Sequence, residues 1–270
     1  MKLVEVILST THIDRHNERM SKSALESMVE QIKANIIPAG IDHDPRIPPV
    51  GRIKDAKLQK RTDGEYEVIG IIEMFEPGDE IPLSNRRLTI RKPDSKEFEL
   101  IYDRSYRNEK DQKTIEEIGK ILDSSPIEES KKSYDVLSVL TIAGVFAAGA
   151  ISAGFFNSLG KDAYDSLKKY IKELLKRKSK ETEERLFKFN PIVEIKDRVI
   201  EIDIILTNPK DGDIDMFFED GLKELDSNFA KWIENKSIAK LVFEYSDNSL
   251  KLKFVIRKDG VPMFPKNSEH

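Results

Sequence analysis

No cysteine occurs among the 270 residues. Disulfide scaffolds, thiolate metal sites and cysteine nucleophiles are thereby excluded. The composition fits a reducing compartment, and a cytoplasmic or membrane-associated intracellular protein is expected. A dominant charge is missing too. Lys plus Arg number 45 and Asp plus Glu 49, for a net charge of −4. Such a balance sets up no global field to draw nucleic acid, so no nucleic-acid partner is expected. The N-terminus, Met1-Lys2-Leu3-Val4-Glu5, has an acid at its fifth position and no apolar run behind it. It reads as the start of a strand and not as a secretory leader.

Metal and cofactor motifs are also lacking. His12 and His16 stand four apart with no third nitrogen or thiolate nearby, so no metal site is expected there. Gly154 and Gly160-Lys161-Asp162 miss the spacing and the hydroxyl of a phosphate loop. Asp211, Asp213 and Asp215 lack the glycine and the final glutamate of a calcium loop. Those acids suit a helix start, where the dipole favours negative charge. No cofactor is expected.

What is present is mixed α+β patterning. Leu3–Ser9 alternates as a strand. Behind Ser21, a candidate N-cap, Ala24, Leu25, Met28, Val29, Ile32 and Ile36 recur at helical steps. Val50–Leu58 and Tyr66–Phe75 read as strands joined at Asp63-Gly64. Leu88–Arg91 and Phe98–Tyr102 read as short strands, and Asp111–Leu122 as a charged amphipathic helix. Residues 123–133 are polar and read as a linker. Lys161–Lys178 patterns as a basic amphipathic helix. A small C-terminal β-α-β-β domain follows over 186–270, with a helix over Ile214–Asn235 and a hairpin around Asp247-Asn248. No catalytic group converges in it, so it reads as an interaction domain.

Val136–Phe156 holds 21 residues without a charge. A membrane-spanning helix needs about 20 such residues. Small residues four apart, as at Gly144/Ala148 and Ala150/Gly154, would let helices approach closely. One long apolar helix is expected, inserted in a membrane, buried in a core, or broken near Gly144 or Gly149 as a helical hairpin. With the helix after it, it makes a segment over 134–180 suited to membrane attachment or homo-oligomerisation.

Two N-terminal stretches carry a family likeness: Thr11-His12-Ile13-Asp14-Arg15-His16-Asn17-Glu18-Arg19-Met20 before the first helix, and Ile41-Asp42-His43-Asp44-Pro45-Arg46 leading into Gly51-Arg52-Ile53. An Asp-Arg turn, a helix, a His-Asp turn and a Gly-Arg strand opening resemble the phage prohead (capsid-maturation) proteases, serine peptidases related in fold to herpesvirus assemblin. The likeness covers about residues 1–105. It implies a β-rich assemblin-like domain over 1–122, with His43 as general base, Thr89 in the nucleophile slot, and Asp44 or Asp14 orienting the histidine. Threonine stands where the family has serine, and Arg91 where it has glycine. The extra methyl restricts χ1, and the lost glycine narrows the room beside an oxyanion. A degenerate prohead-protease-like module that meets a protein partner or peptide is therefore expected. Its alternatives are an active Thr/Ser-His peptidase, a membrane-perturbing effector, or a purely structural binding protein. Residues without the family pattern also allow His43 a purely local role, holding its proline-rich turn.

Overall fold

A computed structural model describes residues 2–14, 17–76, 86–90, 93, 98–129, 137–176, 184–195, 198–233 and 235–265. It is a mixed α+β protein, 32% helix and 42% strand, with one four-stranded and one eight-stranded sheet. The chain divides into two compact units. The first comprises 1–89 and 256–263, the second 90–255 and 264–270. The first unit is thus completed by a segment, 256–263, from near the other end of the sequence.

In the first unit, β1 (Lys2–Thr10) precedes α1 (Lys22–Ala34), then come β2 (Ile37–Ala39), β3 (Gly51–Lys60) and β4 (Tyr66–Met74). The sheet runs β1-β4-β3-β2, all antiparallel. Ser21 caps α1 as its sequence position implies, its hydroxyl accepting from the Ala24 amide at 3.1 Å. One face of α1 sets Leu25, Val29 and Ile32 against Ile53, Ala56 and Val68 of β3 and β4. Leu88 forms a single bridge to Ile36. The strand expected over Leu88–Arg91 is otherwise not formed among the described residues.

The second unit holds β5 (Phe98–Asp103), α2 (Glu109–Ile121), β6 (Ile127–Glu129), β7 (Leu137–Ala147), α3 (Ile151–Leu159), α4 (Lys161–Lys176), β8 (Glu184–Ile195) and β9 (Arg198–Thr207). After these come α5 (Asp211–Met216), a π-helical turn (Phe217–Gly221), α6 (Leu222–Ile233) and β10 (Ile238–Ser246). The hairpin partner β11 (Ser249–Arg257) follows, and the short β12 (Pro262–Met263) lies in the segment 256–263 counted with the first unit; the sheet order is β12-β11-β10-β9-β8-β7-β5-β6. Three strand pairs, β5/β6, β7/β8 and β9/β10, are parallel, and each is joined through helices. A parallel pair needs such a crossover, since a tight turn cannot span it. Asp247 and Asn248 both have positive φ, at 53° and 56°, which fits the two-residue turn between β10 and β11. The expected C-terminal β-α-β-β run is thus present as β9, α5–α6, β10 and β11, but as part of the large sheet.

The long apolar helix expected over Val136–Phe156 does not form. Leu137–Ala147 is strand β7, and Ile151–Leu159 is a separate helix. Among the described residues no helix is long and apolar enough to cross a membrane. β7 lies between β5 and β8 with nearly all of its side chains buried. A strand covered on both faces reads as an unbroken apolar run. Val139, Thr141, Ile142 and Val145 are β-branched and favour strand over helix. Gly149, at φ 74°, turns the chain into α3. Gly144 is a packing position, because a Cβ there would come within 2.8 Å of the Phe98 ring.

The helices meet the sheet through aromatic rings. Phe155 of α3 lies 5.3 Å from Phe98, 5.1 Å from Phe189 and 5.6 Å from Phe218, centroid to centroid. Ala150 offers α3 no capping side chain, and Asp226 of α6 supplies it instead. Its two oxygens accept from the Ile151 and Ser152 amides at 2.9 and 3.1 Å. Asp226→Ala is expected to lower unfolding stability by about 1–2 kcal/mol, the usual cost of a lost cap, in urea denaturation. Asp226→Asn should lose less.

Candidate functional site

The residues expected to form a peptidase site lie in three loops of the first unit. His43 sits in the turn Ile41–Asp44, closed by the Asp44 amide donating to the Ile41 carbonyl at 3.0 Å. Asp42 and His43 both have positive φ, at 50° and 55°, a conformation that Asp and His tolerate better than most residues. The His43 side chain is exposed and shares no hydrogen bond with Thr89, Asp44 or Asp14. Asp44 accepts from Arg46, at 2.9 Å from both its amide and its Nε and at 2.7 Å from its Nη2. Asp14 closes its own loop, accepting from the Glu18 amide at 3.0 Å. The Thr89 hydroxyl donates to the side-chain oxygen of Asn35, the residue that ends α1. Arg86 fixes that segment by donating to the carbonyls of Ile32 and Lys54, at 2.7 Å each. A nucleophile and its base act when they share a proton within about 2.6–3.2 Å, and His43 and Thr89 share none. Arg91 and His16 lie outside the described residues.

The rest of the Thr11–Met20 stretch is tied to the β3–β4 turn. Thr11 donates its hydroxyl to Glu65, and Arg19 reaches both oxygens of the same carboxylate at 2.5 and 2.6 Å. The Thr11 hydroxyl, followed by Arg19, holds the Glu65 carboxyl below its usual range. His12 Nε2 lies 3.0 Å from Asp63. The carboxylates of these ties face solvent, which screens them. They explain a charged turn better than they explain chemistry.

A group that sequence reading missed lies in the second unit. Phe187 and Phe189 of β8 face Phe217 and Phe218 in the helical layer. Alternation along the strand therefore points Lys188 and Asn190 to the other side of the sheet. Pairing of Phe189 with Ile204, and of Lys240 with Glu201, brings Glu201, Asp203 and Lys240 to that side as well. Asp203 is 1% exposed. Lys240 Nζ lies 2.7 Å from Asp203 and 2.9 Å from Glu201, and Lys188 Nζ lies 3.6 Å from Asp203. Asn190 Nδ2 donates to Asp203 at 2.7 Å and lies 3.1 Å from both Glu201 and the Ile202 carbonyl.

Two ammonium groups meet two carboxylates here, so the group is neutral as a whole. Burial alone would raise the Asp203 carboxyl. Lys188 and Lys240, with hydrogen bonds from Lys240 and Asn190, outweigh it and hold the group below its usual range. Burial likewise works against charge on Lys240, and Asp203 and Glu201 overcome it, raising the ammonium above the ordinary lysine value. A lysine that acts as nucleophile or base needs the opposite shift. The network therefore locks three strands in register. Its signal in the sequence is charged or amide residues two apart inside apolar strands, as in Lys188/Asn190 and Glu201/Asp203.

The acids that fail as a calcium loop are used by α4. Lys176 pairs with Asp211, Lys172 with Asp215 at 2.5 Å, and Lys168 with Glu219 at 3.3 Å. Residues four apart share a helix face, so the pairs form a ladder between α4 and the α5 region. Among the described residues no cluster of three His, Asp or Glu side chains is placed to hold a metal ion. No family model matches the chain, and comparison with curated proteins and with solved structures returns no match.

Proposed function

We propose that the protein is a non-hydrolytic binding module, in which a prohead-protease-like first unit of assemblin-like fold serves as a platform for a protein partner and the second unit acts as scaffold. One observation carries this reading: the Thr89 hydroxyl is given to Asn35, while His43 shares no hydrogen bond with Thr89 or with either candidate orienting acid. The departures from the family pattern point the same way, with threonine at 89 where the family has serine and arginine at 91 where it has glycine. Nucleic acid is not the partner in this reading, since the net charge is −4 and lysines of α4 are matched by acids. An intracellular setting belongs to the same proposal, on the absence of cysteine.

The test is hydrolysis of an unfolded protein substrate by the purified chain. The expected rate equals the blank, and His43→Ala and Thr89→Ala leave it there. Hydrolysis by the wild type that falls about a hundredfold or more in His43→Ala, the usual loss of a general base, would overturn the reading in favour of an active peptidase.

A further inference from the structure

The four-stranded sheet has two unlike edges. β2 is three residues long, contains Pro38, and is followed by Gly40. A short strand with proline is a protected edge. β1 is nine residues long and has neither proline nor glycine, and among the described residues it pairs with β4 alone. Its outward side chains are Leu3, Glu5 and Ile7. Leu3 is 54% and Ile7 57% exposed, among the most exposed large apolar side chains described. Next to them on the same face, by register, stand Ile71 opposite Glu5 and Ile69 opposite Ile7, both half-buried. The inward side chains are Val4, Val6 and Leu8, and Leu8 packs against the α1 core. A long, unguarded edge beside an apolar strip is a place where another strand is expected to add.

The sequence of that edge says which strand. Around Glu5 the pattern reads alike in both directions: Val4 and Val6 flank it, then Leu3 and Ile7. We propose that β1 pairs antiparallel with β1 of a second copy of this chain, about a two-fold axis at Glu5. An isologous contact requires a self-complementary surface. An axis perpendicular to the sheet keeps each face on its own side, so the pairing must centre on a residue. Centring on Glu5 sets Leu3 opposite Ile7 of the second copy, twice over. Centring on Val4 would oppose Leu3 to Glu5, and centring on Val6 would oppose Glu5 to Ile7. The one unfavourable pair is Glu5 against its own copy. Lys57, whose Nζ lies 3.6 Å from Glu5 on the same sheet, supplies a countercharge from each side. The contact joins the two sheets edge to edge and removes two free edges.

Sedimentation velocity of the full chain over a concentration series tests this. The wild type should be a dimer that dissociates on dilution. Leu3→Lys with Ile7→Lys should be monomeric throughout, with the circular dichroism of the wild type, because both side chains are exposed. Glu5→Gln removes the like-charge pair and should dimerise about threefold more tightly. A chain that is monomeric at every concentration overturns the proposal, as does self-association that survives the double lysine variant. Should the double variant fail to fold, Glu5→Gln decides alone: tighter association supports the pairing, and unchanged or weaker association overturns it. A protein that dimerises and also cleaves peptides would sink the non-hydrolytic reading and leave this one standing.

Discussion

Replacing Asp203 by alanine is expected to lower the unfolding free energy by about 3–5 kcal/mol, because the ammonium of Lys240 is left without its nearest carboxylate in a largely buried place. Equilibrium urea denaturation should show this as an earlier midpoint at unchanged slope. Lys240 keeps Glu201 at 2.9 Å, so the loss should fall short of unfolding the unit. The double variant Asp203→Leu/Lys240→Met should be more stable than the sum of the single losses, since removing both charges also removes their desolvation. The pH dependence has a fixed sign. The folded Asp203 carboxyl lies below its ordinary value, so its contribution is complete above about pH 3.9, the unfolded value, and is lost as pH falls through the folded one. Lys240 is shifted upward. Its contribution is complete below about pH 10.4 and is lost as pH rises through the folded value. Asp203→Asn should flatten the acid limb and leave neutral stability closer to wild type than alanine does. An unchanged acid limb would show that the carboxylate is not held ionised by its lysines.

Arg52→Ala is expected to cost a similar amount, about 3–5 kcal/mol, in the first unit. Arg52 Nε lies 2.6 Å from Glu73, and both side chains are buried. Its Nη1 donates to the Asp259 carbonyl at 3.0 Å, 207 positions away in sequence. The same arginine therefore holds two strands together and fastens the returning segment 256–263 to the first unit. Lys54 lies 3.8 Å from Glu73 and is too exposed to take over. Amide hydrogen exchange should show 256–263 losing protection in Arg52→Ala along with β3 and β4. Protection that falls in β3 and β4 alone would mean that the returning segment is held by other contacts. Arg52→Lys should not restore it, because an ammonium cannot reproduce the directed guanidinium contacts.

Local signals in the sequence carried far where the structure is local. Ser21 marks the start of α1, Asp63-Gly64 the β3–β4 turn, and Asp247-Asn248 the β10–β11 turn, because capping and turn chemistry act within a few residues. The single helix expected over Ile214–Asn235 is instead α5, a π-helical turn and α6, with Phe217 and Phe218 turned inward where the ladder widens. Val136–Phe156 misled for a physical reason. A strand buried on both faces and a buried helix are both unbroken apolar runs. The β-branched residues of 139–145 and the glycine at 149 were the distinguishing marks. The Lys188–Asn190–Glu201–Asp203–Lys240 network was invisible because it is assembled from three strands, and pairing register is not written in any one of them. The candidate triad was read from a family pattern, which says nothing of the hydrogen bonds that its side chains make. His43 and Asp44 are neighbours in one turn, but Asp44 accepts from Arg46 and the Thr89 hydroxyl is given to Asn35.

The most direct test of the non-hydrolytic reading is the intact mass of the full chain after exposure to a serine-reactive fluorophosphonate, which modifies a hydroxyl only where a base and an oxyanion site activate it. The account predicts an unmodified mass for the wild type and for His43→Ala alike. A single adduct mapped to Thr89, and lost in His43→Ala, would contradict it and restore an active peptidase.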